Sequence, residues 1–355
     1  VNYQGDAVVP PLSDPDRIFR VPAEEEPHEG TWLQWPHDRN DSNRRRNLVQ
    51  RYEESWIQMT LALHKGERVR IIVYDDRERD RVSRRLHDRG CDMKQIDFFA
   101  WPTEDVWVRD NGPVFVFDEK DNLHLTDWGF NGWGKRYEYQ QSNAIPKQVA
   151  SALHLPCTTV PMINEGGSVE IDGKGTLMAK RSSILNRNRN PGWSQEDAEA
   201  YFRRYLGVTN FIWIEGVKGQ DITDDHIDGT ARFADSKTIV TFHRRDFLNR
   251  KEYGILENAV NANGERYRLV HLPLTTRKMT RSEYGFYINY YVSNKVVLVP
   301  SFEDPNDQVA ARKLQEIYGH KRKVVLIPMK EVLQDGGMVH CVTQQQPLLR
   351  RPANS

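Results

Sequence analysis

The feature that most constrains the fold is a unit of roughly 55 residues that recurs along the chain. Each copy has the pattern of a short β-hairpin, then an amphipathic helix, then one more strand. Ser194, followed by Gln195-Glu196-Asp197, is a typical helix start. The predicted elements of four copies are 113–117, 123–127, 139–153 and 158–161; 168–171, 176–179, 195–206 and 211–214; 230–233, 238–242, 248–261 and 267–272; and 287–292, 295–300, 306–318 and 323–328.

A fifth copy is split between the two ends of the chain. The C-terminal region supplies a strand at 338–343, and the N-terminal region supplies 31–35, a helix within 48–64 and 69–74. An additional helix at 76–88 and a strand at 93–99 complete that region. We therefore expect an α/β protein in which residues 1–355 form one catalytic domain, with a frayed tail at 348–355.

Composition gives no reason to expect several classes of partner or bound group. Lys plus Arg and Asp plus Glu both number 50, so net charge gives no reason to expect nucleic acid or an anionic membrane. The three cysteines are too few and too scattered for a disulfide framework or a CxxC zinc site. No apolar stretch approaches the roughly 20 residues of a membrane span, and the N-terminus as given lacks a signal-peptide pattern. A compact cytoplasmic protein is expected.

The residues that could carry chemistry occur at the same place in each copy, at or just before its first strand. They are spaced 52 to 63 positions apart: Asp110, Glu165, His226, Asn289 and Cys341. If the copies pack around a pseudo-symmetry axis, residues at equivalent positions converge near that axis. The sequence therefore predicts one shared polar site.

The first of these residues lies in an aromatic and charged segment, WVRDNGP at 107–113. Its Asn-Gly-Pro end indicates a turn, but a turn alone leaves the acids and the indole without a role. A carboxylate beside an indole suits a guanidinium, which makes paired hydrogen bonds and stacks on the ring. Asp110 and Trp107 are therefore predicted to bind a cation.

A histidine and two acids form the next group. Residues i and i+2 of a strand face the same side, so His226 and Asp228 are predicted to point into one cavity. Glu165 is placed to accept a hydrogen bond from the imidazole and raise its basicity. The alternative is a metal site built from His226 and the acids at 221–228, although the chain has no HExxH and no EF-hand spacing.

Cys341 is the candidate nucleophile. A thiol, an imidazole and several carboxylates are what a cysteine needs to act on a cationic substrate. The alternative is a buried core cysteine, the commonest fate of a free thiol. Adjacent strand residues point to opposite faces, so His340 is predicted to be a poor general base for Cys341, and His226 is the best-placed one.

Five segments, in this order, resemble one known family. They are WVRDNGP at 107–113, EGGS at 165–168, LNRNRNP at 185–191, DDHIDG at 224–229 and GGMVHC at 336–341. The chain resembles the agmatine deiminase group, also called the Porphyromonas-type peptidylarginine deiminase family, within the guanidino-group-modifying superfamily. The resemblance implies a five-bladed α/β propeller (pentein) with a central active site, in agreement with the repeat. The chain departs from the family pattern at Asp335, Met338 and Glu170.

The resemblance also implies residue roles and a reaction. The implied roles are nucleophile for Cys341, general acid/base for His226, its partner for Glu165, guanidinium binding for Asp110 and Asp228, flanking of the substrate for Trp107, and a lesser polar contribution for Asn289. The implied reaction is hydrolytic deimination of agmatine, a step toward putrescine, through a cysteine thiouronium and without metal or organic cofactor. Deimination of peptidylarginine or free arginine, amidino transfer, and a noncatalytic propeller that binds cations stay open as alternatives. The expected partner is a small guanidino compound, and a homo-oligomer is compatible with the sequence.

Overall fold

The computed structural model describes residues 9–11, 19–39, 47–247, 249–281 and 283–349. Of the tail predicted to fray, Leu348 and Leu349 are exposed, and 350–355 lie outside the described residues. In the described part of the chain, no helix is long and apolar enough to cross a membrane.

The described strands form five repeated sheets and one extra hairpin. In chain order they are β1 His28–Gln34, β2 Arg68–Val73, β3 Ile96–Ala100, β4 Val114–Phe117, β5 Leu123–Gly129, β6 Cys157–Ile163, β7 Val169–Ile171, β8 Thr176–Lys180, β9 Asn210–Ile214, β10 Ala231–Asp235, β11 Thr238–Phe242, β12 Arg268–Leu272, β13 Leu274–Lys278, β14 Tyr284–Phe286, β15 Tyr291–Val292, β16 Val296–Ser301, β17 Lys323–Pro328 and β18 Gln344–Pro347.

The described α-helices include six of eight residues or more and four of a single turn. They are α1 Leu48–Leu63, α2 Asp76–Asp88, α3 Val108–Asn111, α4 Gly132–Lys135, α5 Ile145–Leu153, α6 Arg181–Ile184, α7 Gln195–Leu206, α8 Arg250–Glu257, α9 Asn306–Tyr318 and α10 Lys330–Leu333. The predicted starts and ends of α2, α7 and α9 are confirmed. For α7 the reason is a capping box between Ser194 and Asp197, which satisfies the free N–H groups of the first turn.

Each blade repeats one pattern of strand pairing. The first two strands pair antiparallel and the third joins parallel to the second, in β4-β5-β6, β7-β8-β9, β10-β11-β12 and β15-β16-β17. The fifth blade is β18-β1-β2-β3, in which the C-terminal strand pairs antiparallel with β1. The predicted five-bladed α/β propeller, closed by both chain ends, is confirmed.

The helices cover the junctions between blades. Helix α8 contacts β9 of the preceding blade, α9 contacts β12, and α1 contacts β17. Between the first two blades, Trp128 of β5 packs against Phe202 of α7 with ring centroids 5.7 Å apart. Because a single three-stranded blade cannot bury its own apolar face, the ring is stable only when neighbours share their helices.

Two sequence predictions near the axis are wrong. Residues 338–343 do not form a strand: His340–Val342 is a 3₁₀ turn, and β18 begins at Gln344. The physical reason is that the side-chain oxygen of Asn289 accepts hydrogen bonds from the N–H groups of His340 and Cys341. In a strand, such N–H groups would donate to a neighbouring strand. The fourth blade's first strand is also shorter than predicted: β15 covers only Tyr291–Val292, and the backbone oxygen of Asn289 accepts the N–H of His340 from another blade.

Candidate active site

The predicted site residues meet in the short turns that lead into the blades. Asp110 lies in α3, Cys341 lies in a 3₁₀ turn, and Glu165 and His226 each stand directly before a 3₁₀ turn. His226 and Asp228 are therefore not i and i+2 of a strand, because the chain turns sharply here and Asp224 and Asp225 adopt φ of 62° and 75°. Both side chains nevertheless contact Asp110 or Cys341, so the predicted convergence occurs by another local geometry.

The thiol of Cys341 sits between an amide and a carboxylate. Its Sγ lies 3.4 Å from Oδ1 of Asn289 and 3.8 Å from Oδ2 of Asp228. Oδ1 of Asn289 also accepts the backbone N–H groups of His340 and Cys341, at 3.0 and 3.3 Å. The amide of Asn289 therefore holds the turn that presents the sulfur.

His226 is enclosed by carboxylates. Its Nε2 lies 3.3 Å from Oε2 of Glu165, and its Nδ1 lies 3.7 Å from Oδ1 of Asp110. Burial lowers the pKa of His226, but the charges of Asp110, Glu165 and Asp228 outweigh it and raise the pKa to about 9. The imidazole is therefore a cation at neutral pH.

A buried arginine, Arg189, forms an ion pair with the second carboxylate oxygen of Glu165. Nε of Arg189 donates to Oε1 of Glu165 at 2.5 Å, and Nη1 of Arg189 reaches Oδ2 of Asp224 at 2.9 Å. Burial raises the pKa of Glu165, but Arg189 and His226 outweigh it, so the pKa lies below its usual value. Sequence reasoning missed Arg189, although it belongs to the LNRNRNP segment.

The negative charge of Asp110 is less fully balanced by its neighbours than that of Glu165. Its Oδ2 accepts from Nε1 of Trp133 at 2.8 Å, and its Oδ1 accepts the N–H of Gly167 at 3.1 Å. Burial, together with the charges of Asp228 and Glu165, raises the pKa of Asp110 despite the attraction of His226. Trp133 was also missed; its signal in the sequence is an aromatic residue between two glycines, and the backbone places it at φ 53°.

Asp228 is the best-compensated acid beside the thiol. Its Oδ2 lies 2.8 Å from Nδ1 of His340. Burial raises the pKa of Asp228, but the hydrogen bond and charge of His340 and the charge of His226 lower it overall. The two carboxylates near Cys341 are thus unequal, because Asp228 has an imidazole nitrogen at 2.8 Å, whereas the imidazole that faces Asp110, that of His226, lies 3.7 Å away.

The thiol itself is protonated in this environment. Burial, followed by the charges of Asp228 and Asp110, raises the pKa of Cys341 well above its ordinary value. A cation placed between the two carboxylates would reverse this effect, because it would cancel the charges that oppose the thiolate. The site therefore has the electrostatics of a receptor for a cation.

A narrow cleft opens beside the sulfur. Ile222, Thr223 and Gly336 contribute to its wall, and the ring of Trp107 lies so close to Gly337 that a Cβ there would be 2.3 Å from Cζ3. No lysine or arginine is found among the described residues that line it: Trp107, Asp110, Trp133, Ile222, Thr223, Asp335, Gly336, Gly337 and Cys341.

The acids considered as metal ligands have other partners. Asp224 pairs with Arg136 and Arg189, and Asp225 accepts from Nζ of Lys180 at 2.5 Å. Asp221 accepts from the hydroxyl and N–H of Thr223. Within the described ranges no group of three or more His, Cys, Asp or Glu residues has a geometry that could hold a metal ion.

The chain is similar to known proteins over most of its length. The family model described as Porphyromonas-type peptidyl-arginine deiminase matches residues 20–347. A Pseudomonas aeruginosa agmatine deiminase is 30% identical over 94% of this chain and 96% of its own length. A Streptomyces coelicolor protein provisionally named agmatine deiminase is 33% identical over 93% of this chain and 99% of its own length.

The fold is shared with a solved structure as well. An X-ray structure provisionally named agmatine deiminase superposes with a TM-score of 0.85 at 26% identity, covering 94% of this chain and 96% of that chain. The fold and the family place the chain among enzymes that act on guanidino groups. The chain belongs to the Porphyromonas-type peptidyl-arginine deiminase family.

Substitution of Gly167 tests how closely the charged side chains of the site are packed. A Cβ there would lie 2.7 Å from Nδ1 of His226, 2.9 Å from Oδ1 of Asp110 and 3.0 Å from Oδ2 of Asp228. Gly167→Ala is expected to reduce kcat/KM by about 100-fold, because it displaces all three side chains. The matched control is Gly254→Ala, where a Cβ meets nothing within 4 Å; equal activity of the two variants would contradict the assigned geometry.

The charge state of His226 gives a second prediction. Because its pKa is raised to about 9, NMR titration of the imidazole should show a cation at pH 7, and Glu165→Gln should lower the midpoint. Because the folded-state pKa of His226 lies above its unfolded value, protonation of this ring stabilises the folded protein. That stabilisation is fully present below the unfolded pKa of about 6.5 and is lost as pH rises through about 9. An imidazole that is already neutral at pH 7 would contradict this assignment.

Proposed function

We propose that this enzyme hydrolyses agmatine to N-carbamoylputrescine and ammonia. The observation that carries the proposal is a thiol beside two carboxylates: Asp228 lies 3.8 Å from Sγ of Cys341, and Asp110 lines the same cleft as the sulfur, with no basic residue among the described residues that line it. The relatives named agmatine deiminase support the choice of substrate. Residues 1–355 act as one catalytic domain, because each of the five blades contributes a residue to this site.

Binding begins with the guanidinium. Asp110 and Asp228 accept paired hydrogen bonds from its N–H groups, and the indole of Trp107 contacts its planar face. The bound cation offsets the two charges that raise the thiol pKa of Cys341, so the thiol releases its proton to water and the thiolate forms when the substrate is in place. Activation of the nucleophile is therefore coupled to recognition.

The thiolate of Cys341 then attacks the guanidinium carbon and forms a neutral tetrahedral adduct. The His226 cation donates its proton to one amino nitrogen, the C–N bond breaks and ammonia leaves. A cationic thiouronium remains on Cys341, and His226 is neutral. Neutral His226 takes a proton from water, the resulting hydroxide adds to the same carbon, and collapse breaks the C–S bond as the hydroxyl proton passes to the departing sulfur. The ureido product leaves, and both side chains are restored.

The tail of the substrate decides between agmatine and arginine. Agmatine carries a second cation, whereas free arginine adds a carboxylate that would need a basic partner. The charged residues that line the described cleft are Asp110 and Asp335, so a dication fits better. Ammonia release should be measured with agmatine, free arginine and arginine-containing peptides, and preference for the peptides would overturn the proposal.

Cys341→Ser tests the covalent step. Turnover should fall by about 10⁴-fold or more, while calorimetry should still detect agmatine binding, because Asp110 and Asp228 are retained. Mass spectrometry of the quenched wild-type enzyme should show the amidine adduct on Cys341. The matched control is Cys157→Ser, at the start of β6, which should retain activity.

Other results would support the alternatives. Unchanged turnover in Cys341→Ser would exclude the thiol mechanism. Product mass separates hydrolysis from amidino transfer, because transfer to an added amine yields a guanidino compound in place of the ureido product. Binding without any turnover in the wild type would indicate a noncatalytic propeller.

Asp335→Asn tests recognition of the tail. The Asp335 carboxylate pairs with Nη1 of Arg51 at 3.0 Å at the edge of the cleft. Removing its charge should raise KM for agmatine about tenfold, with a smaller effect on arginine, because the distal ammonium loses an opposite charge. The control is Glu331→Gln, since Glu331 also pairs with Arg51 at 3.3 Å but does not line the cleft. Identical KM changes for agmatine and arginine would contradict this role.

A further inference from the structure

A chain of buried charges continues from the thiol site to the segment before β1. One oxygen of Asp228, Oδ2, lies 3.8 Å from Sγ of Cys341 and 2.8 Å from Nδ1 of His340. The other ring nitrogen of His340, Nε2, lies 2.9 Å from Oε2 of Glu24. The imidazole of His340 therefore stands between two carboxylates.

This placement defines the protonation of the ring. Carboxylates accept hydrogen bonds, and a neutral imidazole can donate from one nitrogen only. Donation to both Asp228 and Glu24 requires a proton on each nitrogen of His340. The ring thus bridges Asp228 and Glu24.

Glu24 also receives cations from other blades. Its Oε2 lies 2.8 Å from Nη2 of Arg232 and 3.4 Å from Nη2 of Arg109, and its Oε1 accepts the N–H of Val292 at 2.8 Å. Arg232 is 1% exposed and is held on its other side by Glu170 at 2.7 Å. The Glu24 side chain is only 10% exposed, and its carboxylate contacts groups from four blades.

The position of Glu24 in the chain makes this arrangement unusual. It precedes β1 and belongs to no blade strand. Its four partners come from the first, third, fourth and fifth blades, through Arg109, Arg232, Val292 and His340. A salt bridge with a purely structural role would not need to include His340, whose other ring nitrogen contacts the carboxylate beside the Cys341 sulfur.

We propose that Glu24 is a positioning residue for deimination: it holds His340 against Asp228 and so fixes the carboxylate that faces Cys341. This inference rests on the proposed function. Asp228 is faced by His340, His226 and Arg232 as cations and by Asp110 and the Cys341 thiol. His340 lowers the pKa of Asp228 against the effect of burial, so loss of the His340 charge would leave Asp228 easier to protonate.

Kinetics of Glu24→Gln test the proposal. The variant keeps the shape of the side chain and removes its charge. At neutral pH kcat/KM for agmatine should fall 10- to 100-fold, because a carboxylate displaced by about 1 Å binds the transition state poorly. The acid limb of the kcat/KM profile should move up by about one pH unit, because Asp228 loses its stabilising cation. A lower Tm with unchanged kcat/KM and an unchanged acid limb would overturn the proposal.

The matched control lies two residues further along the same segment. Glu26 accepts from Arg20 at 3.2 Å and from the N–H of Ala23 at 3.1 Å, away from His340. Glu26→Gln should retain the wild-type profile. A loss in Glu26→Gln equal to that in Glu24→Gln would show that the segment acts only as packing, which would overturn the specific role of Glu24.

A second measurement does not depend on the substrate. ¹⁵N NMR of the histidine rings, with His340 assigned from the signals missing in His340→Gln, should show both ring nitrogens protonated at pH 7.5 in the wild type. Glu24→Gln should lose this doubly protonated signal. A neutral His340 in the wild type would overturn the proposal even if the variant fails to fold. If the wild type releases no ammonia from agmatine, the proposed function fails, while this spectrum still tests Glu24.

Discussion

The burial of negative charge at the centre of the propeller is the constraint on which the rest of the structure depends. A carboxylate removed from water is costly unless a cation and hydrogen bonds replace the solvent. Glu165 has Arg189, Asp228 has His340, and Glu24 has Arg232. Asp110 has neutral donors and a longer contact to His226, and it is the site carboxylate whose pKa is raised. A guanidinium placed beside Asp110 would supply a closer cation than His226.

The same constraint explains why the nucleophile need not be reactive before substrate binds. Burial and the charges of Asp228 and Asp110 oppose the ionisation of Cys341, and the His226 cation faces Glu165 and Asp110. An exposed, permanently ionised thiol would be open to oxidation and to side reactions. Coupling its ionisation to the arrival of a cation confines reactivity to the complex with substrate, and leaves His226 protonated for the departing nitrogen.

The sequence predicted the residues with recognisable chemistry, but not the residues that form hydrogen bonds and ion pairs with them. The positions of Asp110, Glu165, His226, Asn289 and Cys341 within the repeat predicted their meeting, because equivalent positions in a ring approach its axis. Helix α7 was predictable from its capping serine and apolar spacing, which are local features. Trp133 and Arg189 were missed, since a tryptophan in a glycine turn and an arginine in a loop usually lie on the surface. The strand expected at 338–343 was wrong because a distant side chain, Asn289, outcompetes the local β preference.

By itself the sequence determined the number of blades, the order of strand and helix within each, and the closure of the last blade by both chain ends. These follow from hydrophobic periodicity and turn residues, which act over a few positions. Only the tertiary structure decided which charged groups face each other: His340 lies between Asp228 and Glu24, Arg189 pairs with Glu165, and Asp110 faces His226 at 3.7 Å. Such pairings depend on distances of a few ångströms between residues as far apart in sequence as Glu24 and His340, and no local pattern encodes them.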